Sequence, residues 1–341
     1  MTDKREQTVH DKWYNGHALV WLLAPLALLF FFLSGVRRLL FKSGIKKRFK
    51  ASVPVIVVGN ISVGGNGKTP VVLALAEYYK SRGLKVGILS RGYGAKSPQY
   101  PRVVTHNDPA NEVGDEPRLL AGRSGCNVVI DPVRSRGAAM LQNECGCDLI
   151  ICDDGLQHYA LHRDVELVVM DERLLGSGYL LPMGPLREGQ WRLAKVDAIV
   201  HNARSLPSFD QSVSPQFLMS LEPSDFVNVA DSDKTATKDE IGTQTCKAMA
   251  GIGDPQRFFN QLKAMGITLN EERALADHFA FSSSDIPSGR VLMTEKDAVK
   301  ARAFAHDDCW YLPVTARLSA DFYQLVDAKL LRAGLALDNN Q

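Results

Sequence analysis

The chain has 341 residues, 45% apolar and 23% charged, enough for one large or two medium domains. Its net charge is only +2, but residues 1–50 carry ten Lys/Arg against three acids, a net +7, which leaves −5 for the rest. A mildly acidic body argues against a nucleic-acid binder and assigns the positive charge to the N-terminus.

Residues 18–36, "ALVWLLAPLALLFFFLSGV", follow that pattern. The 16 residues from Ala18 to Leu33 hold no charge and one proline. With the next three they come close to the roughly 20 residues a bilayer requires. Arg37, Arg38, Lys42 and Lys46-Lys47-Arg48 follow. Basic flanks stay cytoplasmic, so the body is expected to face the cytoplasm. A signal peptide would carry its charge before a shorter apolar run. A membrane anchor over 1–50 is therefore predicted, either spanning or lying in one leaflet. The six cysteines form no C-x-x-C pair, and a lone C-x-C favours reduced structural thiols over zinc.

"VPVIVVGN" (53–60) reads as a buried strand and "TPVVLALAEYYKSRG" (69–83) as a helix. "KVGILS", "NVVID", "CDLIICDD", "VELVVMD" and "VDAIVHN" are further continuous Val/Ile-rich strands. Such strands alternating with helices predict an α/β fold with a parallel sheet covered on both faces. The first α/β core is expected over 51–205. The polar stretch 206–245 reads as a linker or β-ribbon. A second, smaller α/β domain is expected over 246–341.

Between the first strand and helix lies "VGNISVGGNGKTP". Gly67-Lys68-Thr69 matches the end of a phosphate loop, but the place of its first glycine is taken by Ser62. Ser62, Val63, Gly64, Gly65, Asn66, Gly67, Lys68 and Thr69 are the candidate nucleotide-binding residues. Glycines let backbone N–H groups turn toward a phosphate, Lys68 would reach the β/γ oxygens and Thr69 would help hold Mg²⁺. The bland alternative is a Gly-rich turn. An apolar strand ending in Asp should accompany such a loop, and "DLIICDD" ends in Asp153-Asp154, candidate Mg²⁺ ligands or helix caps. "VGDEP" offers Asp115, "ADHFAFS" offers His278, "LPMGPLREG" offers Arg187 and "SRGYG" offers Arg91 and Tyr93. Taken singly, each suits a cap, a core histidine or a turn.

As an ordered set, "GNISVGGNGKTP", "LSRGYG", "VGDEP", "DDGLQHYALHRD", "LPMGPLRE", "ADHFAFS" and "TEKDAVK" resemble the tetraacyldisaccharide 4′-kinase family, the lipid A kinases of Gram-negative bacteria. The family's loop typically lacks the first glycine, and the family has an N-terminal membrane segment. The resemblance implies a phosphate-loop kinase of the bacterial inner membrane, its catalytic domain facing the cytoplasm. It would move the γ-phosphate of ATP, with Mg²⁺, to the 4′-hydroxyl of an acylated glucosamine disaccharide 1-phosphate. The resemblance makes Asp115 the general base, His278 its partner, Arg187 a stabiliser of phosphoryl charge, and Arg91 or Tyr93 substrate contacts. No nucleic acid and no protein partner is expected. The rival is a membrane-associated regulatory phosphate-loop ATPase. Such loops usually carry an extra lysine near their start, where this chain has Ser62 and Val63.

Overall fold

The computed structural model describes residues 13–14, 18–209, 213–277 and 279–336. Eight strands form the first sheet: β1 (Val55–Gly59), β2 (Val86–Ser90), β3 (Arg102–Val104), β4 (Asn127–Ile130), β5 (Leu149–Asp153), β6 (Val165–Asp171), β7 (Ala198–Asn202) and β8 (Gln216–Leu218). Their spatial order is β3-β4-β2-β5-β1-β6-β7-β8. All neighbours are parallel except β3, which lies antiparallel on the edge. The continuous apolar runs follow from this position between two helical layers. Ile56 and Val58 of β1 enter one core and Val55 and Val57 the opposite one, because successive strand residues face opposite ways. Each such aliphatic side chain contributes about 1.5–3 kcal/mol on burial.

β9 (Ser220–Pro223) then leaves the first sheet and pairs antiparallel with β16 (Val314–Arg317). Between them lies the second sheet, built from β10 (Phe226–Asn228), β11 (Thr235–Ala236), β12 (Cys246–Ala250), β13 (Leu269–Ala274), β14 (Val291–Thr294) and β15 (Cys309–Leu312). Its order is β11-β10-β15-β14-β12-β13. The stretch expected as one linker or ribbon thus serves three sheets: β8 extends the first, β9 forms the ribbon, and β10 and β11 join the second.

The last helix, Ala320–Arg332, does not pack with the second sheet. Its Phe322, Val326 and Leu330 sit in the core of the first, beside Val71, Leu75 and Tyr79. Asp327 accepts hydrogen bonds from Tyr78 at 2.8 Å and Tyr79 at 2.9 Å, and pairs with Arg82 at 2.9 Å. Apolar residues every three or four positions demand a partner surface, and the flank of helix Lys68–Ser81 that carries Tyr78 and Tyr79 supplies part of it.

At the other end of the chain, helix Ala24–Lys42 buries only Ala27 and Phe41. Leu26, Leu28, Leu29, Phe31, Phe32, Leu33, Val36 and Leu39 are exposed. Contacts with the core recur along it and along the preceding helical turn Ala18–Leu23. Ala27 and Val20 pack on Met183, Trp21 meets Tyr179 edge-on at 5.5 Å, Arg38 lies 3.8 Å from Glu188, and Phe41 is 6.4 Å from Tyr159.

Candidate active site

The phosphate loop joins the C-terminal end of β1 to helix Lys68–Ser81, at the edge where parallel sheets collect ligands. Gly67 caps the helix at φ 90°, a left-handed conformation that glycine adopts without a Cβ penalty. Side chains hold the loop from behind. Asn60 donates to the Gly64 carbonyl at 3.2 Å and to Asn66 Oδ1 at 2.8 Å, and Asn66 donates to Ser62 Oγ at 3.2 Å. Asn202, at the end of β7, donates to the Asn66 carbonyl at 3.3 Å.

Ser62 therefore has a task that glycine could not perform. Its hydroxyl anchors Asn66, and its backbone bridges to Leu186 of the Pro/Gly loop. Val63 N–H donates to the Pro185 carbonyl at 2.9 Å, and Arg187 N–H to the Ile61 carbonyl at 2.7 Å. The loop 181–189 is thereby strapped to the phosphate loop, which brings Arg187 to the end of β5.

There Asp153 and Asp154 diverge. Asp153 is buried, and its Oδ1 has no hydrogen-bond partner among the described residues. Burial, then the nearby charge of Glu116, raises its pKa above the ordinary range. Asp154 stands at φ 47°, which aspartate tolerates better than most residues. It lies 3.7 Å from Lys68 Nζ and accepts from Arg187 at 3.0 and 3.2 Å. Burial alone would raise its pKa, but Lys68 and Arg187 outweigh burial and hold it at about 2.

Asp115 opens helix Asp115–Ser124 and is buried. Its Oδ1 accepts from the Glu116 N–H at 2.9 Å. Lys296 of the second sheet's unit lies 3.8 Å from Asp115, 3.1 Å from Glu116 and 3.1 Å from Asp277. Burial opposes the charge on Lys296, yet Glu116, Asp115 and Asp277 outweigh it and raise its pKa. Reading residues in isolation missed Lys296. It lies in "TEKDAVK", which offers no clue that two of its three partners sit 180 positions or more earlier. His278 lies outside the described residues.

Between the two sheets runs a cleft of about 860 Å³. Gly65, Lys68, Thr69, Glu116, Arg173, Asn202, Arg257, Asp277 and Lys296 are among its lining residues. The two sides approach closely, and a Cβ on Gly253 would lie 3.0 Å from the Gly65 nitrogen. Arg257 also bonds Asn202 across the gap. Arg91 and Tyr93 follow β2 and are exposed. The charge of Arg91 reaches His158, whose pKa is pushed down to about 4 by burial and then by Arg134, Arg91 and Arg37. Arg37 belongs to the apolar N-terminal helix, so that helix ends beside this corner of the site.

A parallel sheet, a glycine-turned loop before a helix, a lysine in that loop and acids at the neighbouring strand end define a phosphate-loop nucleotide-binding fold. The family model for tetraacyldisaccharide-1-P 4′-kinase matches residues 19–331. A tetraacyldisaccharide 4′-kinase of Pseudoalteromonas atlantica is 51% identical, covering 90% of this chain and 98% of that protein. One of Tolumonas auensis is 48% identical over 96% of this chain and 100% of its own length. The crystal structure of LpxK from Aquifex aeolicus in complex with ATP superposes with a TM-score of 0.80 at 30% identity, covering 93% of this chain and all of that one. The chain belongs to the tetraacyldisaccharide-1-phosphate 4′-kinase family.

Proposed function

We infer that this chain transfers the γ-phosphate of ATP to the 4′-hydroxyl of a tetraacyldisaccharide 1-phosphate. The observation that carries the reading is the meeting of Asp115 with Lys296, Glu116 and Asp277, the last three lining the same cleft as Lys68 and Thr69. Phosphoryl transfer needs little covalent help and depends on positioning, charge neutralisation and an oriented nucleophile. Lys68 and the backbone N–H groups of Gly64–Gly67 bind and orient the phosphates. Arg187 is held by Asp154 within reach of Lys68, and the two cations neutralise charge that develops on the transferred group. Asp115 accepts the proton of the attacking hydroxyl.

The residues also fit a Mg²⁺ ion. Among the described residues no cluster of three or more His, Cys, Asp or Glu makes a metal cage. Mg²⁺ seldom uses one, and takes one or two carboxylates plus substrate phosphates and water. Asp153, with an unbonded buried oxygen at the strand end, and Thr69, beside Lys68, would hold it. When bound it supplies positive charge to the phosphate oxygens.

Helix Ala24–Lys42 locates the catalyst at a membrane. With the helical turn before it, as the stretch Leu19–Lys42, it is long and apolar enough to cross one. Its repeated contacts from Val20 to Phe41 with the catalytic body favour burial in one leaflet, with the body resting on the surface. The basic flank and His158 corner would then meet the anionic headgroup of the substrate at the cytoplasmic face of the inner membrane.

The decisive assay measures transfer of labelled γ-phosphate to the purified lipid. Asp115→Ala should cut kcat roughly 10²-fold or more. Near-normal turnover in that variant would remove Asp115 from the mechanism, and lipid-independent hydrolysis would favour a regulatory ATPase. Deleting residues 1–36 spares Arg38 and Phe41. It should reduce activity on vesicle-borne lipid about tenfold more than on detergent-dispersed lipid, because anchoring raises effective concentration. Equal losses in both assays would refute the anchoring account.

A further inference from the structure

The segment Thr294–Asp297 sends three consecutive side chains to three separate places. Glu295 accepts from Arg123 at 2.6 Å, across the gap between the sheets. Asp297 accepts from the Gly251 N–H at 2.9 Å and so fixes the start of the turn that overlies Gly65. Between them Lys296 reaches Asp115, Glu116 and Asp277.

The arithmetic of charge at Lys296 is unusual. One ammonium faces three carboxylates, two from the first sheet's unit and one from its own. It donates to Glu116 and Asp277 at hydrogen-bonding distance. Its contact with Asp115, at 3.8 Å, is longer and acts through charge. Without the ammonium, three like charges would lose a counter-charge they share, which favours protonation within the cluster. A protonated Asp115 could not accept another.

We propose that Lys296 is a positioning residue for the transfer step, holding Asp115 ionised and aimed at the acceptor hydroxyl once the two units meet. The proposal rests on Asp115 being the proton acceptor. It makes the second unit part of the catalytic apparatus, because the base is complete only when Lys296 is docked. The competing role is a direct grip on an ATP phosphate, since Lys296 also lines the cleft. Geometry favours positioning, because two of the three ammonium protons are already taken by carboxylates of neighbouring elements.

The test compares Lys296→Met and Lys296→Arg in the full-length enzyme, each alone and combined with Asp115→Asn. The readouts are kcat, KM for ATP and the pH profile of kcat. Lys296→Met should lower kcat roughly 10²-fold, the scale of a misplaced catalytic group. KM for ATP should move less than about threefold, and the acid limb of the pH profile should shift upward. Lys296→Arg should recover at least about tenfold of the lost rate. In the Asp115→Asn background, Lys296→Met should cost little more, since both act through one group. A tenfold rise in KM for ATP at unchanged kcat, or full multiplication of the two losses, would overturn positioning. Near-normal kcat in Asp115→Asn alone would instead sink the reading of Asp115 as base. Should Lys296→Met fail to fold, Lys296→Arg decides. A kcat loss that vanishes with Asp115→Asn supports the proposal. A loss that persists there, or appears only in KM for ATP, defeats it.

Discussion

The two sheets are built alike and used differently. In the first, the ends of β1 and β5 carry a phosphate loop and an acid pair, and the loop and Asp154 are braced by neighbours in the same unit. In the second, the ends of β12 and β14 carry Gly251 and the Thr294–Asp297 segment, whose partners lie partly across the cleft. The first is a preformed site. The second supplies what the site lacks, and can do so only by contact. Chemistry built at such a seam depends on how the units meet as much as on either alone.

Two changes would test that contrast. The larger effect belongs to the first unit. Asp153→Asn should lower kcat by about 10²-fold if its buried oxygen receives the metal ion, as expected for losing a charge-stabilising group. The nucleotide-free fold should nonetheless melt about 2–4 °C higher, the shift expected for roughly 1 kcal/mol in a domain of this size. The sign follows from the raised pKa. The folded state holds that proton more tightly than the unfolded chain, so its contribution is lost as pH rises from the ordinary aspartate value through the raised one. Calorimetry against pH should show that loss in the natural protein and not in the variant. A lower melting temperature at neutral pH would contradict the view of Asp153 as a strained, waiting ligand.

The smaller effect belongs to the second unit. Gly253→Val should raise KM for ATP several-fold, on the order of 1 kcal/mol, because its side chain would press on Gly65 backbone. Its thermal stability should hardly change, since Gly253 lies at the cleft and not in a core. An unaltered KM would mean that the two loops separate before nucleotide enters.

Much of the first unit was legible in sequence. Its central strands are buried on both faces, so their Val/Ile runs are unbroken, and the glycines and lysine of the loop follow in order. β13 is not legible as a strand. Its "LNEERA" alternates between half-buried and exposed on the sheet edge and offers no apolar run. The role of Ser62 was recognisable only as a departure from the usual pattern. Its reason, anchoring Asn66 and meeting Leu186, is tertiary. Lys296 was hidden for the same cause, as its partners at 115 and 116 are far away in sequence. The return of helix Ala320–Arg332 to the first core could not be read from its own periodicity, which says that a face must be covered but not by what.

That return has a consequence for synthesis. A ribosome delivers the chain from its N-terminus, and domains usually close in that order. Here the kinase core lacks one of its walls until residues 320–332 have been made, after the whole second unit. The polypeptide that has emerged before that point is therefore an unfinished catalyst. Phe322, Val326 and Leu330 complete it last.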